Sequence, residues 1–158
     1  MHALVVYDSQ FGNTERIAAA IADTLRTTGE VRLAHVDPAH PLDLEGIDLL
    51  ILGSPTQGWQ STEAIQALLS DLTPRQLHGR AVACFDTRFQ KPRWITGSAA
   101  RRMAASLRHM GVTLVAPPES FFVEGKEGPL LTGELGRAAV WARALLNRIE
   151  TPHPVMQR

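Results

Sequence analysis

Residues 3–14 read Ala3-Leu4-Val5-Val6-Tyr7-Asp8-Ser9-Gln10-Phe11-Gly12-Asn13-Thr14. The run from Ala3 to Tyr7 is apolar without polar alternation, the pattern of a central strand covered on both faces. After a short turn through Gly12, Ile17, Ala18, Ile21 and Leu25 fall on one helical stripe, which predicts a helix over 14–27 with Gly29 as its stop signal. A buried strand feeding a helix through a tight glycine turn is the repeating unit of a mostly parallel sheet, and it sets the α/β class.

The rest of the chain repeats the unit. Strands are predicted over 31–36, 49–53 and 81–85, and helices over 62–72, 98–110 and 132–150. The inward residues are Ile65, Leu68 and Leu69 in the second helix, Met103, Leu107 and Met110 in the third, and Leu135, Ala138, Ala142, Leu145 and Ile149 in the last. Thr73, Pro74 and Gln76 form the capping box of a short extra turn. The stretch 37–48 holds two prolines and reads as a loop. A fifth strand region covers 112–115 and 121–123; Pro117 and Pro118 interrupt it, which suits a sheet edge or a bulge. The expected organisation is one domain over 1–150 and a tail over 151–158.

Composition narrows the function classes. Sixteen basic residues balance sixteen acidic ones in 158, so no global field favours nucleic acid or an anionic membrane. One cysteine rules out a disulfide framework or a thiolate-rich metal site. Cys84 falls mid-strand, as a packed thiol does. The six histidines lack metal-ligand spacing. No apolar run approaches the roughly 20 residues that span a bilayer, and no signal-peptide pattern is present, so the expected location is the cytoplasm, without membrane insertion.

In an open α/β sheet, ligands bind beyond the carboxyl ends of the strands, so the loops there carry the function. The first loop runs from Ser9 to Thr14. Hydroxyls at both ends and backbone N–H groups at a helix N-terminus suit a phosphate without any cation. No G-x-x-x-x-G-K-[ST] is present, no G-x-G-x-x-G follows the first strand, and Gly53-Ser54-Pro55 stands where a receiver domain needs an acceptor aspartate.

This first loop, the string Gly53-Ser54-Pro55-Thr56-Gln57-Gly58-Trp59, and Asp86-Thr87-Arg88-Phe89 together resemble the three flavin-contacting loops of the flavodoxin family. The resemblance covers residues 3 to about 150. It implies a doubly wound, five-stranded parallel sheet of order 2-1-3-4-5 with helices on both faces, the arrangement for which flavodoxin is itself the standard example. It further implies an FMN cofactor and short-chain topology. Carried onto this sequence, Ser9 and Thr14 hold the phosphate through hydroxyls, and Gln10, Phe11, Gly12 and Asn13 through backbone N–H. Phe11 stands where the family commonly has threonine. Pro55, Thr56, Gln57 and Gly58 meet the N5 edge of the flavin; Gly58 matches the glycine whose carbonyl can turn toward it, and Trp59 or Phe89 would stack on the ring.

The resemblance departs from the family at its third loop. From Asp86 to His109 the only acid is Asp86, while Arg88, Lys91, Arg93, Arg101, Arg102 and Arg108 are positive. Flavodoxin carriers are acidic around the flavin. Here Arg88 near N1 and O2 would stabilise the doubly reduced flavin anion, whereas Arg101 and Arg108 read as a solvated helix face. The expected function is electron transfer with a redox partner protein or a small acceptor. Two alternatives stand beside it: an FMN-dependent oxidoreductase acting on a quinone or porphyrinogen-like substrate, and a flavin-free interaction domain.

Overall fold

A computed structural model describes residues 1–151, so nearly all of the expected tail, residues 152–158, lies outside the described residues. Five strands, β1 (His2–Tyr7), β2 (Glu30–His35), β3 (Leu49–Pro55), β4 (Ala81–Phe89) and β5 (Glu119–Val123), form one sheet of order β2-β1-β3-β4-β5. Every pairing is parallel. The helices are α1 (Asn13–Leu25), α2 (Glu63–Asp71), α3 (Pro74–Leu77), α4 (Arg93–Thr96), α5 (Ala99–His109) and α6 (Glu134–Glu150). The expected doubly wound sheet is the observed one.

Strand alternation divides the core in two. Ala3, Val5, Leu49, Ile51, Ala83 and Phe85 face α1 and α6, whereas Leu4, Val6, Leu50, Leu52, Val82 and Cys84 face α2 and α5. On the first side Phe85, Phe121 and Trp141 meet edge to face at centroid distances of 6.0–6.1 Å. Each such pair contributes about 0.5–1.5 kcal/mol beyond area burial. Gly53 leaves room for the tip of the Phe85 ring, since a Cβ there would run into it. Burial pushes the Cys84 thiol up to about 12, so it stays protonated and unreactive.

Several expected boundaries move. β3 continues through Ser54 to Pro55 and β4 through Asp86, Thr87 and Arg88 to Phe89, paired in register with each other and, for β4, with β5. The third loop of the sequence reading is therefore the end of a strand. The 112–115 stretch makes only an isolated bridge, Val82 with Leu114, because the fifth strand forms after the two prolines and starts at Glu119. In α6 the buried stripe is Ala138, Trp141, Ala142, Leu145 and Leu146; Leu135 is exposed, and Glu134 takes the inward place in the first turn. The capping box at Thr73 and Gln76 is formed.

Candidate functional site

At the carboxyl ends of β1, β3 and β4 lies a cleft of about 700 Å³. That volume lies within the range of small-molecule sites. Ser9, Gln10, Phe11, Asn13 and Thr14 line it from the first loop, Pro55 to Trp59 from the second, and Thr87, Arg88 and Phe89 from the end of β4. Lys91, Ile95, Thr96, Val123 and Lys126 complete the wall; of these only Lys91 was expected near the site, as one of the positive charges of the third loop.

The first loop is built around the Ser9 hydroxyl. Its Oγ accepts the N–H of Gly12 at 3.1 Å and of Glu15 at 3.3 Å, which closes the turn and leaves its own proton free to donate. Asp8 braces the loop from behind, accepting the Ser9 N–H at 2.8 Å and standing 3.1 Å from His35 Nε2. Gly12 is the N-cap of α1 in the left-handed region, φ 89°, where a glycine carries no Cβ penalty; it has no side chain to cap the helix, and only the Glu15 N–H of the first turn is met, by Ser9 Oγ. The N–H groups of Gln10, Phe11, Asn13 and Thr14 accordingly have no acceptor among the described residues. Gly12 was expected to donate its N–H to a ligand. That bond goes to Ser9 instead, so the glycine contributes its backbone turn.

Thr14 and Thr87 form the floor. Both are buried, and their hydroxyls meet at 2.8 Å. Whichever donates, the other keeps a proton with nothing to receive it in the protein, so the pair offers one donor where Thr14 alone was expected to.

The second loop is a two-residue hairpin. Gln57 and Gln60 exchange backbone hydrogen bonds of 2.8 and 3.0 Å around Gly58 (φ 53°) and Trp59 (φ 67°). Two successive positive φ values are what a type I′ turn requires, and tryptophan is a poor residue to hold one. Tertiary contacts hold it there: the indole N–H donates to Ile95 O at 2.6 Å, and Trp59 bridges to Gly97. A Cβ at Gly97 would fall 2.5 Å from Trp59 Cα. Gln57 Nε2 donates to Gln10 Oε1 at 2.6 Å, tying the second loop to the first.

Asp86 is corrected by strand alternation. It was expected in the flavin site, but it lies on the α5 side of β4 with Cys84, fully buried and away from the cleft. Its Oδ2 accepts the Ser98 hydroxyl at 2.5 Å and the Ala100 N–H at 2.9 Å. Thr56 Oγ1 accepts the Ala99 N–H, and Ser98 Oγ that of Arg101. The N-terminus of α5 is thus closed by three side chains, whereas in α1 Ser9 meets the Glu15 N–H and those of Asn13 and Thr14 stay open. Burial raises the Asp86 pKa, partly offset by those hydrogen bonds, and among the described residues Oδ1 lies within hydrogen-bond reach of no partner.

Arg88 reaches the cleft wall with its charge partly spent. Its Nε donates to Ser120 Oγ at 2.9 Å and its Nη1 to Lys91 O at 2.8 Å and Thr96 Oγ1 at 3.2 Å, with the guanidinium 5.1 Å from the Phe122 ring centroid. It therefore pins the β4–α4 connection as well as charging it. Three aromatic rings remain exposed around the cleft: Phe11 (41%), Phe89 (38%) and Trp59 (54%). Phe11, expected only as a backbone donor, adds its ring to this set. The turn before Leu130 packs on the first loop: Asn13 Nδ2 donates to Glu127 O at 3.2 Å, which carries Lys126 to the phosphate-loop side of the cleft.

Unanswered amides, the Ser9 hydroxyl and the Thr14–Thr87 donor make a neutral anion cradle, with aromatic rings beside it. That donor set fits a flavin mononucleotide. Among the described residues no cluster of His, Cys, Asp and Glu could hold a metal ion.

Known proteins match this chain in family and in fold. The flavodoxin family profile matches residues 5–141. A flavodoxin of Aquifex aeolicus (strain VF5) is 34% identical over 90 residues, 53% of this chain and 48% of that protein, so the match spans about half of the relative's length. Oxidised flavodoxin 2 of Bacillus cereus superposes with a TM-score of 0.76 over 94% of this chain and 99% of its own, at 24% identity. The rubredoxin oxygen:oxidoreductase of Desulfovibrio gigas gives 0.72 over 95% of this chain and 37% of its own, at 19% identity. Identities this low establish likeness of fold.

Proposed function

Because the chain belongs to the flavodoxin family, whose members are FMN-binding electron-transfer proteins, we propose that its cleft holds FMN and that the protein carries electrons between redox partners. The observation that carries this reading is the pairing, in one cleft, of open N–H groups at the α1 N-terminus with three exposed aromatic rings. The phosphate is held by the N–H groups of Gln10, Phe11, Asn13 and Thr14, by Ser9 Oγ and by the spare proton of the Thr14–Thr87 pair. Lys126 adds a nearby charge. The second loop and the end of β4 flank the ring; Trp59, fixed by Ile95 O and Gly97, forms a rigid wall, and Phe11 and Phe89 supply further apolar surface.

FMN supplies the one- and two-electron chemistry. The side chains lining the cleft include no carboxylate, histidine or thiol, so the residues around it bind, orient and exclude water. Mixing the FMN-loaded protein with NADPH tests the carrier reading. Reduction that depends on an added flavoprotein reductase supports it, and fast direct bleaching by NADPH alone contradicts it.

A further inference from the structure

Trp59 stands between two hollows. Its loop lines the flavin cleft on one side and a groove of about 440 Å³ on the other, whose wall includes Trp94, Arg93, Arg101 and Arg102. Trp94 is 81% exposed, on a helical turn, α4, that buries none of its residues. With Trp59 on the same groove, it gives that wall an exposed apolar area.

The charge around it is one-sided. From Thr87 to Pro118 the sequence holds Arg88, Lys91, Arg93, Arg101, Arg102 and Arg108 and no Asp or Glu, in a chain whose formal net charge is zero. Arg93, Arg101 and Arg102 take part in no ion pair among the described residues, whereas Arg137 of α6 is paired with both Glu119 and Glu134. Arg101 and Arg102 lie in the opening turn of α5, which carries no acidic residue. Cations at a helix N-terminus oppose the macrodipole, so their placement there works against the stability of the helix and strengthens the outward positive potential. An exposed tryptophan ringed by unpaired arginines has the make-up of an interface centre, where Trp and Arg are the residues that anchor binding.

We propose that the Trp94 groove docks a redox partner protein through a carboxylate-rich face, with the Trp94 indole as its apolar anchor. The inference rests on the electron-carrier reading for the word redox: sharing Trp59 with the cleft puts the docked partner beside the flavin site. Complementary charge steers such a partner and makes its association salt-sensitive.

The indole N–H signals of Trp59, Trp94 and Trp141 in ¹⁵N NMR test this on the full chain, with buried Trp141 as an internal reference. A synthetic oligoglutamate peptide added at low salt should shift the Trp94 signal, leave Trp141 in place, and lose its effect at high salt. In R93E/R101E/R102E the same peptide should bind at least about tenfold more weakly, in line with the usual reach of electrostatic steering. W94A, which alters no charge, should weaken binding while keeping the salt dependence. A shift of Trp94 by oligolysine instead, or unchanged oligoglutamate binding in the triple variant, overturns the proposal. A second measurement reads the flavin: oxidation of the reduced FMN-loaded protein by ferricyanide should slow as salt rises, and oxidation by hexaammineruthenium(III) should not; the reverse order overturns the proposal. Failure to bind FMN would defeat the proposed function without touching the peptide result, so the two readings fail separately.

Discussion

The hydroxyls of Thr14 and Thr87 lie 2.8 Å apart, joining the first turn of α1 to the end of β4 across 73 residues of sequence. Two hydroxyls in one bond leave one proton over, and on the proposed function that proton goes to the FMN phosphate. Replacing Thr87 with valine keeps the shape and removes half of the relay. A hydrogen bond to a charged group contributes about 1.5–3 kcal/mol, so Thr14→Val should weaken FMN binding by roughly 10- to 100-fold, and Thr87→Val by less. Riboflavin, which lacks the phosphate, should bind both variants as it binds the wild type. Equal losses for the two ligands would place the pair outside the phosphate site.

Gly97 carries the second loop. Its φ of 69° and the proximity of Trp59 leave no space for a methyl group. Gly97→Ala should displace Trp59, break the bond to Ile95 O, and destabilise the fold by more than about 1 kcal/mol. Urea unfolding and a shift in tryptophan emission check it.

Arg88 both charges the cleft wall and tethers Lys91, Thr96 and Ser120. Arg88→Ala should lower the second reduction potential of bound FMN by on the order of 1–2 kcal/mol, roughly 40–90 mV for one electron, because a cation near the doubly reduced anion is lost. Arg88→Lys keeps the charge without the tethers, so a potential close to that of the wild type assigns the effect to charge. No drop in Arg88→Ala removes the role.

Glu134 makes an acid-labile clamp on β5. Burial pushes its carboxyl up, but hydrogen bonds from Arg137 and the Phe122 N–H more than offset that and hold its pKa below the ordinary 4.5. A depressed carboxylate stabilises the fold above its unfolded pKa, and that contribution fades as pH falls toward the folded value. The urea midpoint of the wild type should therefore fall more steeply below about pH 4.5 than that of Glu134→Gln. Parallel curves would contradict the clamp.

What the sequence revealed of this fold follows from burial. β1, β3 and β4 were visible as apolar runs because both of their faces are covered. Their ends were not, since Ser54, Asp86 and Thr87 are polar yet buried, and their side chains are answered by Thr62, Ser98 and Thr14 rather than by water. An apolar run stops where such a network begins. That is why Asp86 was assigned to the cleft: with β4 ended at Phe85, alternation could not be carried one residue further to the α5 side. The loops were visible as glycine and hydroxyl strings, and the cleft gathers most of them. The positive φ of Trp59 was hidden because its cause, Gly97 and Ile95 O, lies in a distant turn. Lys126 was hidden because only the packing of Asn13 on Glu127 brings it near.

Calorimetric titration of the flavin-free protein with FMN and, in parallel, with riboflavin tests the central claim most directly. A neutral cradle built from the N–H groups of Gln10, Phe11, Asn13 and Thr14 and from the Ser9 hydroxyl should make FMN bind at least about 100-fold more tightly than riboflavin, a gap of roughly 2.7 kcal/mol. Equal affinities, or no heat with FMN, would contradict it.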